Sequence, residues 1–445
     1  MPDHLNSAGS RKWAERTTSL RGVAWKRLLR FAEQLAYDVA GLPMALWHLG
    51  RLSEDLPPAE YLHRFHARRY WKLPLGPLKG VIAAILWPVA LVVAIIVFTT
   101  RNGRAIAARS GVSIAGQVMA QVVMAARHSV APFWFYMFEL HLAELRKHAS
   151  LYLTAHETIG PAYSLLQPPE ESDGMDDKIW FAEHCHEQGV RAVPVFMHFS
   201  NGESKPLKGG TSVLPDCDLF VKPRSGSGGH RMERWDFIGE GRYRTSSGEI
   251  LARDALEAKL AEQSLKDDFL IQPRLSNHEA LADISNGALA TVRLLTCRNE
   301  DGQVEATNAA FRMAIGRNSV VDNFHQGGLA TEVDLASGTI GIASDIGIRP
   351  DVGWRDTHPV SGATFAGRTL PHWKEAVALG ICAHEAFPDR IIVGWDVAML
   401  PDGACIIEGN GKPDLDIHQR VERGPAGNRR IAALVAFNVR KALRQ

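Results

Sequence analysis

The segment "IIVGWDVAMLPDGACIIEGNGKPDLD" (residues 391–416) predicts a β-hairpin that carries two acidic side chains on one face. Two apolar stretches flank Pro401-Asp402-Gly403, which is typical of a three-residue hairpin turn. Antiparallel pairing across this turn sets Asp396 opposite Glu408. Asn410 lies two residues beyond Glu408 and shares its face, because side chains alternate along a strand.

Two carboxylates and an amide side by side on an apolar hairpin indicate a cation site. Facing carboxylates repel each other across a strand pair, so their pairing calls for a compensating positive charge. Mg²⁺ is typically held by one or two carboxylates together with substrate phosphates. The hairpin therefore favours Mg²⁺ bound by Asp396, Glu408 and Asn410 over a merely solvated face.

A glycine-rich loop lies within the stretch "DLFVKPRSGSGGHRM" (residues 218–232). The stretch lacks the GxxxxGK[ST] sequence of a P-loop, and no helical pattern follows it. Strand-like segments on both sides predict that the glycines join antiparallel strands. Two interpretations remain open from these residues alone: a flexible turn, or a nest of backbone N–H groups that binds phosphate together with Lys222.

Neighbouring segments predict further elements. The segment "DDKIWFAEHCHEQGVRAVPVF" (176–196) predicts a helix ending near Gly189 and then a strand, with Lys178 in the first helical turn. The segment "DFLIQPRLSNHEAL" (268–281) predicts an apolar strand that ends at Gln272-Pro273. A loose leucine stripe predicts a helix over residues 139–160.

The order of these parts resembles the ATP-grasp superfamily. It runs from DK to a strand with VKP, a glycine-rich hairpin loop, a strand ending in Gln-Pro, and a hairpin with Asp and then Glu-x-Asn. Within the superfamily, the chain is most similar to the sugar-transfer-associated ATP-grasp proteins, through "TVRLLT" (291–296), "VVDNFHQGGLATEVDLASG" (320–338) and the acidic hairpin. The resemblance covers roughly residues 165–440. It implies an α+β fold in which two α+β subdomains clamp ATP.

The resemblance also implies roles for individual residues. Asp396, Glu408 and Asn410 would hold Mg²⁺, and Ile271 and Gln272 would lie at the adenine with Glu279 at the ribose. The full ATP site that it implies consists of Lys178, Lys222, Ser225, Gly226, Ser227, Gly228, Gly229, Ile271, Gln272 and Glu279.

One departure from the family pattern concerns positive charge. Many ATP-grasp ligases carry an arginine two residues before the metal-binding aspartate, and this chain has Gly394 there. We expect Arg293 or Arg312 to stabilise the transferring phosphoryl group instead. His325 is a candidate general base within residues 322–328, which form either part of the acceptor pocket or a surface turn. Asp416 and His418 follow the hairpin and are further candidates for the pocket.

Residues 1–150 are basic and contain an apolar segment. They carry 19 Lys or Arg and 9 Asp or Glu, although the whole chain has a net charge of only +1, which gives no indication of a nucleic-acid partner. The uncharged residues 80–100 are long enough to span a bilayer. We expect both ends of this segment on the cytoplasmic side of an inner membrane, as a hairpin or monotopic anchor. Three arrangements allow this: a re-entrant kink at Pro88, a second span over 110–126, or an interfacial segment over 129–140.

The sequence thus predicts three regions: a basic membrane region (1–110), a helical connector (111–165) and an ATP-grasp catalytic domain (166–445). The leading function is an ATP- and Mg²⁺-dependent carboxylate–amine ligase acting through an acyl phosphate, in polysaccharide or glycoconjugate assembly. Its acceptor would be a small or lipid-linked carboxylate. Two alternatives are a phosphotransferase and a non-catalytic nucleotide-binding scaffold.

Overall fold

The computed structural model describes the chain over residues 47–72, 76–167, 174–207, 210–224, 232–245, 247–315, 324, 327–348 and 353–444. The chain forms two compact units. One comprises Met1–Arg51, His63–Ser150 and Ile348–Pro350, and the other comprises Leu52–Leu62, Leu151–Gly347 and Asp351–Gln445. The predicted boundary between the connector and the catalytic domain, at residues 165–166, stays a prediction.

The regular elements described before residue 149 are all helices. They are α1 (Pro58–Trp71), α2 (Gly76–Ser110), α3 (Ile114–His128), α4 (Pro132–Met137) and α5 (Ala143–Arg146). The single helix predicted over residues 139–160 is wrong. That stretch is divided among α5, a 3₁₀ turn, α6 (Ala155–Glu157) and a π-helical turn (Thr158–Ala162). Pro161 lies inside the π-helical turn and cannot donate a backbone hydrogen bond.

Helix α2 is the one described helix that is long and apolar enough to cross a membrane, over Ala84–Ser110. It runs through Pro88 without a break, so the re-entrant kink predicted there is wrong. One side carries exposed apolar residues such as Ile85, 69% exposed, and Val89, 66% exposed. On the other side, Thr99 accepts a hydrogen bond from Gln121 of α3 at 2.9 Å. The exposed side chains described between Val81 and Ile96 are all apolar, whereas Thr99 and its glutamine partner are buried between the two helices.

The other two arrangements predicted for the membrane region also meet structural constraints. Helix α3 has 15 residues, which is short of the roughly 20 needed to span the hydrocarbon core. Residues 129–140 were expected at a membrane interface, but Trp134, Phe135 and Tyr136 of α4 are buried in the protein. Their packing in the interior removes them from contact with lipid.

The second unit contains two antiparallel sheets. The first sheet has the order β2-β1-β7-β3-β4-β5-β6, and the second has the order β11-β10-β9-β8-β12-β13. The strands of the first are β1 (Met197–Ser200), β2 (Glu203–Pro206), β3 (Leu219–Pro223), β4 (Glu233–Phe237), β5 (Arg242–Thr245), β6 (Ile250–Ala252) and β7 (Phe269–Pro273). Those of the second are β8 (Thr291–Arg298), β9 (Val304–Met313), β10 (Leu329–Val333), β11 (Ile340–Ser344), β12 (Ile392–Leu400) and β13 (Gly403–Asn410).

The second unit also contains helices. They are α7 (Tyr163–Leu166), α8 (Lys178–Glu187), α9 (Arg253–Gln263), α10 (Ala282–Ser285), α11 (Trp373–Glu385), α12 (Asp416–Val421) and α13 (Arg430–Arg444), with 3₁₀ turns at Ala149–Leu151, Gly174–Asp176, Glu279–Leu281 and Ala426–Asn428. Helix α9 packs against the first sheet, and α11 packs against β8, β9, β12 and β13 of the second. The prediction that the glycine loop joins antiparallel strands is confirmed, because β3 pairs with β4.

The acidic hairpin pairs Asp396 with Glu408 as predicted, although its turn differs. Leu400 pairs with Gly403, so the turn has two residues and not three. A β-bulge beside Asp396 inserts one extra residue, Ile407, on β13. The shorter turn shifts the register by one residue and the bulge shifts it back. Gly403 has a φ of +129°, a conformation that favours glycine.

The core of the second sheet supports a first prediction. Phe311 of β9 is fully buried in the cluster beneath α11. Phe311→Ala should lower the free energy of unfolding by about 3–5 kcal/mol, because it leaves a cavity. Urea denaturation followed by far-UV circular dichroism measures this loss. Ile342→Ala is the control, since Ile342 is 40% exposed on β11, and equal losses for both variants would contradict the assignment of this core.

Candidate active site

A buried cluster of three charges lies on three adjacent strands of the second sheet. Asp396 of β12 is 5% exposed. Arg293 of β8 donates from Nε to Asp396 Oδ1 at 2.6 Å. Arg312 of β9 contacts Oδ2 through Nη2 at 2.8 Å. The structure thus brings both candidate arginines to the candidate metal-binding aspartate.

The two carboxylates of the hairpin have opposite pKa shifts. Burial alone would raise the pKa of Asp396, but Arg293 and Arg312 outweigh it and lower that pKa, so Asp396 is ionised. Burial and then the charge of Asp396 raise the pKa of Glu408, while Lys222 opposes the shift. Two arginines therefore neutralise the charge of Asp396. Ionisation of Glu408 is disfavoured, and a cation bound nearby would favour it.

Gly394 has no room for a side chain. A Cβ at this position would lie 2.7 Å from Cβ of Pro413 and 3.2 Å from Cδ of Arg293. Pro413 and Arg293, which comes from the neighbouring strand, together occupy the space that a side chain of residue 394 would need. The glycine at this position is therefore consistent with the place that Arg293 takes.

Lys222 brings the first sheet into the same electrostatic environment. It lies on β3 and is 5% exposed. Burial lowers its pKa, Glu408 opposes this shift and Lys178 adds to it, and the resulting pKa is about 8. Because Lys222 belongs to the first sheet and Glu408 to the second, these two residues link the two sheets electrostatically.

Lys178 lies at the start of α8. Asp177 caps this helix by accepting from the Ile179 N–H at 3.0 Å, and Lys178 Nζ donates to the Arg224 carbonyl at 3.4 Å. Further along the helix, Phe181 stacks on Phe387 with ring centroids 5.8 Å apart. The cap and the aromatic contact fix the position of the first turn.

A polar network at the base of the glycine loop escaped the sequence reasoning. Arg224 directly follows β3 and donates through Nε to Asp177 Oδ1 at 3.1 Å. Its Nη1 contacts Asp268 Oδ2 at 3.4 Å, and Asp268 accepts from Ser200 Oγ at 2.8 Å. These residues are far apart in the sequence. Two local features pointed toward this network, namely the two aspartates before Lys178 and the arginine directly after the VKP motif.

The residues expected at adenine and ribose lie on and after one interior strand of the first sheet. Ile271 and Gln272 are buried on β7, between β1 and β3. The Ile271 carbonyl accepts from the Phe196 N–H at 2.8 Å and is thus used within the sheet. Glu279 is exposed in a 3₁₀ turn. The loop residues Ser225, Gly226, Ser227, Gly228 and Gly229, together with His325, lie outside the described residues.

The donors on the acidic hairpin fit Mg²⁺ in their chemistry. Two carboxylates and the Asn410 amide oxygen are hard ligands, and Glu408 gains from a nearby cation. Asn410 Oδ1 accepts from the Lys412 N–H at 3.0 Å, which orients the amide. Within the described ranges, no group of three or more His, Cys, Asp or Glu is arranged to hold a metal. An ion here would therefore need further oxygens, such as those of phosphates.

Two antiparallel sheets, with Lys222 on one and an acidic hairpin on the other, define a protein of the ATP-grasp class. The family described as "Sugar-transfer associated ATP-grasp" matches residues 162–430, which is more than half of the chain. The chain belongs to this family. The expectation drawn from the order of its motifs is thereby confirmed.

Three solved structures illustrate distant likenesses to this chain. An L-amino acid ligase from Bacillus licheniformis is 12% identical, with a TM-score of 0.30 over 54% of this chain and 41% of the ligase. D-alanyl-alanine synthetase A from Vibrio cholerae is 10% identical, with a TM-score of 0.36 over 63% of this chain and 68% of its own. The D-alanine-D-alanine ligase from Coxiella burnetii is 11% identical, with a TM-score of 0.35 over 64% and 67%. A comparison with curated protein sequences finds no match.

The crowding at Gly394 gives a second prediction. Gly394→Ala should lower the free energy of unfolding by about 1–3 kcal/mol, because the added methyl group overlaps Pro413 and Arg293. The matched control is Gly341→Ala on β11 of the same sheet, where a Cβ would meet only Thr331 Oγ1 at 3.7 Å. Urea denaturation compares the two variants. If the two variants are equally stable, position 394 has room for a methyl group and the prediction is wrong.

Proposed function

We propose that the protein is an ATP- and Mg²⁺-dependent ligase that activates a carboxylate as an acyl phosphate and joins it to an amine. The observation that carries this proposal is the concentration of charge between the two sheets. Asp396 is held by Arg293 and Arg312, while Glu408 is influenced electrostatically by Lys222 of the other sheet. Phosphoryl transfer depends mainly on positioning and on cations around the transferred group, and this arrangement supplies both.

In the first step, an acceptor carboxylate oxygen attacks the γ-phosphorus of ATP. The bond between the γ-phosphorus and the bridging oxygen breaks, ADP leaves, and an acyl phosphate remains. Lys222 and Lys178 hold the ATP phosphates, and Arg293 and Arg312 neutralise charge on the transferring group. Asp396, Glu408 and Asn410 would hold Mg²⁺, which when bound shields the phosphate charges.

In the second step, an amine attacks the acyl carbon and phosphate leaves, so that the new carbon–nitrogen bond replaces the carbon–oxygen bond to phosphate. The amine proton is released to solvent or to a base, for which His325 is a candidate. Removing a single charge-stabilising contact from such a transition state raises the activation free energy by about 3 kcal/mol.

The setting we propose is the cytoplasmic face of an inner membrane, in the assembly of a polysaccharide or glycoconjugate. Two observations support it. The family is described as associated with sugar transfer, and α2 has an apolar face long enough to enter a bilayer. A small or lipid-linked carboxylate is the acceptor in this proposal.

ATP binding is the third prediction and the direct test of the proposed function. Full-length protein in detergent should bind MgATP in a calorimetric titration. Lys222→Met should weaken binding about 10- to 100-fold, the worth of a charge-assisted hydrogen bond. Lys205→Met, at an exposed lysine of the same sheet, should bind like the wild type. If the folded protein binds no MgATP, both the ligase hypothesis and the phosphotransferase hypothesis fail.

The same titration has an expected pH dependence. Lys222 has a lowered pKa of about 8, so the free protein loses this positive charge as the pH rises through that value. MgATP affinity should therefore be constant below pH 7 and fall above pH 8. Lys222→Arg should keep its affinity at pH 9, since arginine stays protonated. An affinity that does not change between pH 7 and pH 9.5 would count against contact between Lys222 and phosphate.

Membrane attachment is the fourth prediction. The double variant Ile85→Lys, Val89→Lys places two charges on the exposed face of α2, each costing about 2.5–3.5 kcal/mol at the centre of a bilayer. We expect the wild type in the carbonate-resistant membrane fraction of expressing cells and the variant outside it. The control is the double variant Val213→Lys, Ile250→Lys, which changes two exposed apolar residues of the second unit. Retention of the α2 variant in the membrane fraction would refute the role of this face.

A further inference from the structure

Helix α12 immediately follows the acidic hairpin and is buried on all sides. All six of its residues are at most 5% exposed, and it packs against β9 and β10 of the second sheet. Gln419 bonds the Leu153 backbone, accepting its N–H at 3.0 Å and donating to its carbonyl at 2.7 Å. Arg420 donates to Ser344 Oγ at 2.7 Å. These two polar side chains have a clear structural purpose.

His418 of the same helix differs from Gln419 and Arg420 in its hydrogen bonding. It is 2% exposed, and neither ring nitrogen has a hydrogen-bond partner in the part of the chain that the structure describes. His384 offers a direct contrast, because it is fully buried but bonds Thr296 Oγ1 at 2.7 Å and the Arg390 carbonyl at 3.0 Å. A buried polar group without a partner destabilises a folded protein. His418 therefore serves something other than the stability of the chain alone.

The position of His418 connects it to the candidate active site, because α12 packs against β9, the strand that carries Arg312. Burial and then Arg293 lower the pKa of His418, Asp414 opposes this shift and Arg312 adds to it, and the resulting pKa is about 3. The charged groups that act on His418 are thus the two arginines that hold Asp396, together with one aspartate of the preceding loop. Its neutral imidazole offers one N–H donor and one acceptor nitrogen, on opposite edges of the ring.

We propose that His418 binds the acceptor substrate, and that this acceptor is a polyhydroxylated carboxylic acid. The inference rests on the proposed function. Arg293 and Arg312 supply positive charge for the reacting carboxylate, and His418 needs one group that accepts a hydrogen bond and one that donates. Neighbouring hydroxyl groups meet both needs, because each hydroxyl both donates and accepts. A hydrocarbon acid would leave both nitrogens of His418 unpartnered.

The fifth prediction tests this with paired probes. Wild-type protein, MgATP and hydroxylamine, which traps acyl phosphates as hydroxamates, are combined with D-glucuronate, D-galacturonate or D-gluconate. Cyclohexanecarboxylate, which has a ring and a carboxylate but no hydroxyl, is the matched probe. Hydroxamate and ADP should form with at least one hydroxylated acid and not with cyclohexanecarboxylate. Equal rates with both kinds of acid, or no reaction with any hydroxylated acid, would overturn the proposed substrate class.

Variants of His418 then separate substrate binding from structure. His418→Gln keeps a donor and an acceptor, so it should raise KM for the hydroxylated acid about tenfold while kcat changes little, as for one weakened hydrogen bond. His418→Leu should lower kcat/KM at least about a hundredfold, as for two lost bonds. MgATP affinity measured by calorimetry should stay within about twofold of wild type for both. An equal loss of MgATP affinity would assign His418 to the nucleotide and overturn the proposal.

Stability gives a readout that does not depend on ATP. His418→Leu should leave the urea midpoint at or above that of the wild type, since it removes a buried polar group without partners. His384→Leu should lower the midpoint, because it breaks two hydrogen bonds. If His418→Leu is destabilised as strongly as His384→Leu, His418 is a structural residue and the proposal fails. If instead the wild type binds no MgATP, the proposed function itself fails, whatever the urea result.

Discussion

Asp396 lies between two arginines that come from neighbouring strands, and the second sheet is organised around this contact. The sheet order β9-β8-β12 puts Arg312, Arg293 and Asp396 within reach of one another. A carboxylate is costly to bury alone, and removing one partner from a buried ion pair typically destabilises a protein by about 3–5 kcal/mol. The register of all three strands is thus tied to one charged contact, because a shift by one residue would turn each side chain to the opposite face.

The cluster does not balance its own charge. Two guanidinium groups face one ionised aspartate, and Glu408 beside them has a raised pKa. Lys222 is also buried, and burial lowers its pKa. Such an arrangement is less stable than an apolar interior would be, but it suits a ligand that carries several negative charges. Bound polyphosphate would stabilise the charged form of Lys222, and a bound cation would stabilise the ionised form of Glu408.

The N-terminal region obeys a different constraint. Helix α2 satisfies its backbone hydrogen bonds internally and leaves one apolar face exposed, which is what a hydrocarbon environment requires of a chain. Gln117 and Gln121 of α3 are buried, and Gln121 donates a hydrogen bond to Thr99 of α2. The face of α2 that packs against α3 is thus distinct from the exposed apolar face that we propose for membrane attachment.

Much of the catalytic fold could be predicted from local patterns, and the failures have physical causes. Apolar runs bounded by turn residues predicted β3, β4, β7 and the acidic hairpin, because strand pairing follows alternation and turn chemistry over a few residues. The turn of the hairpin was predicted one residue too long, and the pairing of Asp396 with Glu408 survived only because the bulge at Ile407 compensates. A kink at Pro88 was one of three alternatives for the membrane region, but the helix continues through this residue. The helix predicted over 139–160 failed because the chain is not helical at residues 152–154, where Gln419 bonds the Leu153 backbone.

By itself, the sequence determined which residue types are present, the order of the motifs and the hairpin that carries Asp396, Glu408 and Asn410. A hairpin depends on residues that are close together in the chain, where covalent bonds limit distance and direction. Only the tertiary structure decided that Arg293 and Arg312 both meet Asp396, that Arg293 crowds Gly394, that Arg224 joins Asp177 to Asp268, and that neither ring nitrogen of His418 has a partner among the described residues. These contacts join residues separated by many tens of positions, and their distances follow from how strands and helices pack, which no local pattern specifies.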